Sequence, residues 1–261
     1  MQQPLKKRYA FHKPRYVAAV ALFAIAGVTL AQSRCAPPDS MKDHFAGKPN
    51  AASLNELGYW FGEQKNYNCA VQAFASSLQL EPKQKQFSVI AFMLGVSLYL
   101  TGDTKEAIPV LQEAEESGYN DIRIHLLLAQ ALDETQARAD AEIEWRAALE
   151  IDPEHSFALD HLSNDLISDT NDKAVIELLD TPRIAPLRTI QQDTNLSLAF
   201  SRSGKQNDAL RVLRDSVNTY PDSVQLTQQL ADVLTQSGSR EEAQTVLQVL
   251  QARQGANSES H

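Results

Sequence analysis

The chain is short of the residues from which compact reactive sites are usually built. Cysteine occurs twice in 261 residues, at Cys35 and Cys69, with no CxxC and no cysteine–histidine cluster at metal-ligand spacing. A zinc-knit fold and a dithiol redox motif are therefore excluded. Glycine is sparse as well, with 10 in all, and no G-x-S-x-G elbow occurs. "SRSGKQ" (201–206) holds a Gly-Lys pair but lacks the glycine spacing and the Ser/Thr of a phosphate loop. The histidines are scattered. His155 and His161 stand six apart on different faces of a helix, and His161 shares a face only with Asp165. Two ligands do not make a catalytic zinc site, which takes three protein ligands. No metal, no cofactor and no catalytic residues are expected. β-branched alternation is also scarce, which argues against sheets.

What is present is a helix-forming chain with unevenly placed charge. Apolar residues make up 43%, enough for a packed core, and Ala, Leu, Gln and Glu dominate the middle. The expected class is all-α. Of 24 basic residues, Lys6, Lys7, Arg8, Lys13 and Arg15 lie in 1–31, which holds no acid; the remaining 19 face 33 acidic residues. A domain this acidic repels phosphate backbones, so nucleic acid is not an expected partner.

The basic start leads into 15 uncharged, mostly apolar residues from Val17 to Ala31. That length is short of the roughly 20 residues of a spanning helix and has the make-up of an export signal cut after Ala31. A retained anchor with its basic flank in the cytoplasm is the alternative. Either way residues 1–31 are a targeting segment, 32–50 a linker, and the acidic domain is expected outside the cytoplasm, periplasmic or secreted, touching membrane only through its N-terminal segment. Arg34 directly precedes Cys35 where a lipoprotein signal needs a small residue, so no lipid anchor is expected. Two free thiols are the expected state of Cys35 and Cys69. The alternative, a bond between them in an oxidising compartment, would close a loop worth about 3–4 kcal/mol of chain entropy.

The apolar spacing repeats. "FMLGVSLYLTGD" (92–103) has helical spacing, yet Gly95 sits inside it, where glycine costs about 1 kcal/mol relative to alanine. The same figure of leucine, small residue, two variable positions and a large apolar residue recurs around Gly58, Gly95, Ala129, Ser163, Ser197 and Ala231. One interval is 37 residues and the other four are 34. Twelve residues after each small one stands Ala70, Ala107, Ala141, Val175, Ala209 or Ala243. Four further on comes Phe74, Leu111, Trp145, Leu179, Leu213 or Leu247. Polar turns such as "TGDTKEA" (101–107) separate the two figures, and Pro82, Pro153 and Pro221 close units. Two amphipathic helices per unit, approaching closely at the small residue, account for this. One unit cannot bury its own apolar faces, so units must stack.

This pattern closely resembles the tetratricopeptide repeat, a 34-residue helix–turn–helix unit with a W-x2-L-G-x2-Y…A-x3-F…P signature. The initial tryptophan is replaced by Leu54, Ala91, His125 and Leu159 in the first four units. The resemblance implies a right-handed α-solenoid with repeats at 51–84, 88–121, 122–155, 156–189, 190–223 and 224–257. The 37-residue interval predicts a longer loop around "EPKQKQF" (81–87). Pro182 and Pro186 predict that the second helix of unit four stops near Asp180, giving either a pivot or a shortened helix with an ordered loop.

The resemblance further implies that first helices line a concave, partner-binding surface. Counting from each Leu-small pair places Asn55, Tyr59 and Gly62 there, then Phe92, Val96 and Tyr99. Leu126, Gln130 and Asp133 follow, then Asp160, Asn164 and Ile167. Phe92 and Tyr99 are expected to be exposed anchors, with packing into the core as the alternative. At the positions where some relatives clamp a peptide carboxylate stand Asn55, Tyr59, Met93, Arg123 and Leu127, of which only Arg123 has suitable chemistry. In the last unit Val246, Leu247, Val249 and Leu250 cover more than one helix face, which predicts self-association or partner docking there. The tail from Gly255 is expected to be disordered. The chain reads as a non-catalytic scaffold binding another protein or peptide. The alternatives are a structural or oligomerising spacer, or an accessory subunit of an envelope, secretion or enzyme assembly.

Overall fold

Six polar turns at one register set the architecture. The computed structural model describes residues 35–258, and all regular structure among them is helical. After a 3₁₀ helix at Asp39–Phe45 come twelve α-helices: α1 (Ala51–Glu63), α2 (Tyr67–Leu80), α3 (Phe87–Leu100), α4 (Thr104–Glu116), α5 (Ile122–Glu134), α6 (Arg138–Ile151), α7 (Ser156–Ser168), α8 (Asp172–Leu179), α9 (Ile190–Arg202), α10 (Gln206–Thr219), α11 (Val224–Gln236) and α12 (Arg240–Ser258). They form consecutive helix–turn–helix pairs. The chain divides into two compact units, the first ending at Ala141 and the second starting at Glu142, within α6.

Each intra-pair turn places a residue with positive φ seven positions after the small residue: Lys65, Gly102, Gln136, Thr170, Gly204 and Gly238. At Gly102 the left-handed residue donates its N–H to Tyr99, and Asp103 N–H returns to Leu98 O at 2.9 Å. The two bonds satisfy carbonyls that the helix end would orphan. The same return bond joins Asn66 to Phe61, Asn171 to Leu166 and Ser239 to Leu234. Asn66 and Asn171 then cap the next helix, accepting from Cys69 and Ala174 N–H. The turn is written into each repeat locally, and in the first and fourth the cap as well, whereas Asp103 and Lys205 make no side-chain cap bond.

Two of the helix glycines, Gly58 and Gly95, are explained by what faces them. A Cβ on Gly95 would lie 2.5 Å from Leu111 Cδ2, and one on Gly58 would lie 2.5 Å from Phe74 Cε1. Leu111 and Phe74 are fully buried residues sixteen positions on, in the second helix of each pair. Close packing across the pair thus offsets the propensity cost of glycine. Gly58→Ala is expected to lose up to about 2 kcal/mol, because overpacking against a rigid ring costs about 1–3 kcal/mol and the helix regains about 1. Urea unfolding of the variant checks this, and an unchanged midpoint would show that Phe74 moves aside freely.

The longer loop after the first pair runs from residue 81 to 86, and it is anchored rather than slack. Gln84 is buried; its Nε2 donates to Ser77 Oγ at 3.1 Å and its Oε1 accepts from Asn55 Nδ2 at 2.8 Å. In the fourth pair α8 spans only eight residues and stops at Leu179, as the prolines require. The shortened helix with an ordered loop is the outcome. Ile184 is buried, a 3₁₀ turn covers Ala185–Leu187, and Arg188 enters the core.

Three expectations are corrected. Cys35 and Cys69 are joined as a disulfide, with Cα atoms 5.3 Å apart and a sequence separation of 34, rather than remaining free. The residues between 35 and 50 are not a loose linker, because the 3₁₀ helix lies beside α1 with His44 Nδ1 and Glu56 Oε2 2.8 Å apart. That brings Cys35 to the buried Cys69 in the first turn of α2. The C-terminus also differs, since α12 continues through Gly255 to Ser258 instead of fraying. No proline interrupts "QARQGANS", and one glycine costs only about 1 kcal/mol in a helix. Residues 1–31, where a targeting segment is expected, lie outside the described residues. Among those described, no helix is long and apolar enough to cross a membrane.

Candidate binding surface

In the first unit, α1, α3 and α5 present the predicted row. Their N-termini are set by Asn50, which forms a reciprocal capping box with Ser53, and by Asp121, which accepts from Arg123 N–H at 2.9 Å. Tyr59 is exposed and rests edge-on against Phe74, with ring centroids 5.3 Å apart. Tyr99 is half-buried and donates its hydroxyl to Glu134 Oε1 at 2.5 Å, while Glu134 Oε2 accepts from Thr104 Oγ1 at 3.0 Å. Burial, then the Glu134 bond, pushes the Tyr99 hydroxyl up to about 12, so it stays a donor across the physiological range. Val96, Gly62, Leu126, Gln130 and Asp133 are half-buried, and Gln130 folds back on Leu126 O at 3.1 Å.

Two predicted contact residues lie inside instead. Asn55 is only 6% exposed and spends its amide on Gln84. Phe92 is 5% exposed, because the Tyr119 ring covers it at 4.2 Å with planes 13° apart. The core-packing alternative therefore holds for Phe92. The cover is itself the more informative feature. Arg123 lies 5.8 Å over the Phe92 ring, donates through Nη2 to Tyr119 Oη at 3.0 Å, and forks onto Asp121 through Nε at 2.8 Å and Nη2 at 2.9 Å. These bonds hold the Asp121 carboxyl below its usual range, and burial raises the hydroxyls of Tyr119 and Tyr59. The Arg123 side chain is nevertheless 66% exposed. An aromatic base, a fixed guanidinium and a free tyrosine edge are thus brought together. Tyr119 and Asp121 escape a helix-register count because they sit in the loop before α5; the aromatic in "SGYND" (117–121) was the available clue.

In the second unit the predicted Asn164 is exposed on α7, with Asp160 and Ile167 half-buried on the same helix. Asn164 Oδ1 accepts from Asn195 Nδ2 at 2.8 Å and from Gln191 Nε2 at 3.2 Å, both on α9. Gln191 and Asn195 were missed because the count ended at the fourth unit. Unit two also carries aromatics, Phe157 exposed on α7 beside His161 and Trp145. At its C-terminal end a groove of about 400 Å³ is lined by Val217, Pro221, Thr227, Val246, Val249 and Leu250, so three of the four apolar residues singled out there line it and Leu247 does not.

No family model matches the chain, and neither does any curated protein. Solved structures do. A tetratricopeptide repeat protein from Parabacteroides merdae is 18% identical with a TM-score of 0.57, covering 76% of this chain and 77% of its own. YrrB, described as a TPR protein with an unusual peptide-binding site, is 16% identical with a TM-score of 0.56, covering 73% and 97%. MamA from Desulfovibrio magneticus is 16% identical with a TM-score of 0.53, covering 64% and 96%. At these identities the likeness concerns the fold: the stacked helix pairs share the tetratricopeptide-repeat architecture of these proteins.

Proposed function

We propose that the chain is a non-catalytic scaffold outside the cytoplasm that binds another protein or peptide on the first helices of its first unit. The observation that carries this is the Tyr59–Tyr119–Arg123 surface, with Phe92 as its floor. Tyrosine and arginine are the residues that dominate interface hot spots. Arg123 is pre-positioned by Asp121 and Tyr119, so little side-chain entropy is lost on contact. The similarity to YrrB supports the same use of the fold. The disulfide supports an oxidising compartment, as does the basic-then-apolar segment 6–31 of the sequence. The acidic balance of the rest speaks against a nucleic-acid partner.

The test begins with peptide display on the purified chain. Affinities of the selected peptides are then measured on Tyr59→Ala and Arg123→Ala. Each is expected to weaken binding roughly 10- to 100-fold, as hot-spot truncation does, with the unfolding midpoint unchanged. Affinities on both variants equal to those of the unmutated chain would remove this surface as the site.

A second reading, self-association through the last helix pair, rests on the apolar groove beside Val249, which is 47% exposed. Sedimentation equilibrium distinguishes it: a dimer that Val249→Glu dissociates supports it, and a monomer at 0.1 mM or so sets it aside.

A further inference from the structure

Each later first helix leans on the one before it through one face, and α9 shows which. Gln192, Asn195 and Arg202 stand five before, two before and five after the small residue Ser197. They donate to Asp160 Oδ1, Ser163 Oγ and Ile167 O of α7 at 2.7, 3.0 and 3.1 Å. Ala199, two after Ser197, lies in the middle of that face and is fully buried. The residues at the same place in α3, α5 and α11, Ser97, Ala131 and Val233, are buried as well. In α1 this face carries Ser53, Glu56, Trp60 and Glu63, and Trp60 is left half-buried.

The segment 35–50 occupies the place that a preceding first helix takes elsewhere. His44 Nδ1 lies 2.8 Å from Oε2 of Glu56, which holds the position from which Asn195 and Gln229 reach back to α7 and α9. The 3₁₀ helix is two-sided. Asp39, Ser40, Lys42, Asp43 and His44 are exposed, whereas Met41 and Phe45, four apart, are half-buried. A polar outer face over an apolar inner one is what the end of a stacked array requires. With no fully buried residue in the 3₁₀ helix and His44–Glu56 lying at the surface, the covalent bond to Cys69 is the firm attachment.

That bond is approachable from one side. Cys35 is half-buried, whereas Cys69 is 3% exposed and is the third residue of α2, whose start Asn66 caps. A thiolate at Cys69 faces the positive end of a 14-residue helix, which favours the ionised form. Exchange is faster when the departing sulfur is the more stable thiolate. We propose that Cys35–Cys69 is a redox latch and that residues 35–50 are the strap it holds over the end face of α1. The reductant is a dithiol. One of its thiolates attacks Cys35 Sγ, the bond to Cys69 breaks, and Cys69 leaves as a thiolate. The second thiol of the reductant then displaces Cys35 and closes the reductant's own disulfide. Two electrons pass to the protein, and the two thiol protons of the reductant end on Cys35 and Cys69. The strap then lifts and uncovers Trp60; reoxidation restores the cover.

Reduced glutathione is the first probe, added to the folded chain and quenched with iodoacetamide. Peptide masses are expected to place glutathione on Cys35 and the alkyl group on Cys69. The reverse placement, or no adduct unless denaturant is present, overturns the latch. Dithiothreitol then reduces the bond fully. Acrylamide quenching of tryptophan fluorescence should increase on reduction while the helical circular dichroism is kept. The increase should vanish in Trp60→Phe, because Trp145 is fully buried. Cys35→Ala should be quenched like the reduced protein, with or without dithiothreitol. Quenching that does not change on reduction overturns the strap. Loss of helix on reduction overturns the proposal too, since the bond is then a staple of the fold.

Discussion

Arg188→Met is expected to lower unfolding stability by about 3–5 kcal/mol, the cost of breaking a buried ion pair on one side. Arg188 Nε lies 2.5 Å from Asp193 Oδ1, with both side chains under one-tenth exposed. The guanidinium also donates to Leu179 O at 3.3 Å, closing the C-terminus of the shortened α8. Removing it leaves a carboxylate buried with Ser216 Oγ as its remaining partner and frees a helix-end carbonyl. The companion Arg188→Met/Asp193→Leu should recover most of the loss, because an apolar pair of similar volume often replaces a buried ion pair at no net cost. Ser216 keeps its bond to Val212 O at 2.8 Å in that variant. Urea denaturation followed by circular dichroism measures all three proteins. If the single variant loses less than about 1 kcal/mol, the value of an exposed pair, the loop 180–189 is not held by this contact.

Breaking the Cys35–Cys69 bond, by reduction or as Cys35→Ala, should cost about 3–4 kcal/mol from the entropy of a loop of this length. The effect should be local in origin. The 3₁₀ helix Asp39–Phe45 contributes no fully buried residue and only the half-buried Met41 and Phe45, so apolar contact of its own holds it only weakly beside α1. Its surface bond between His44 and Glu56 is of the kind worth about 0–1 kcal/mol. Hydrogen exchange should therefore accelerate first in residues 39–45 and the start of α1, with α3–α5 protected. Uniform acceleration across the unit would instead make the bond a global staple, and unchanged exchange would show that the segment packs independently.

The repeats were legible because each is encoded locally. Leucine beside a small residue, a large apolar residue sixteen positions after the small one, and a polar turn seven after it recur at intervals of 34 residues, once 37, and each figure answers to one contact or one turn. The stop of α8 was legible for the same reason, since proline acts on its own backbone. The candidate surface was only half legible. Tyr59, Arg123 and Asn164 are exposed where helix register places them, but Phe92 shares that register and is buried. Its fate is decided by Tyr119, which belongs to a loop and reaches Phe92 only after α3 and α5 have packed.

Sequence by itself determined the all-α class, the six-fold pairing of helices, the need for glycine at 58 and 95 and the irregularity of the fourth pair, because all of these follow from interactions within about one repeat. Tertiary structure alone decided that Cys35 meets Cys69, that Gln84 locks Asn55 inside, and that Arg188 replaces a lost helical turn. Each of those depends on where separate elements come to rest, and hydrogen bonds, disulfides and ring contacts act only over distances that the packed chain creates.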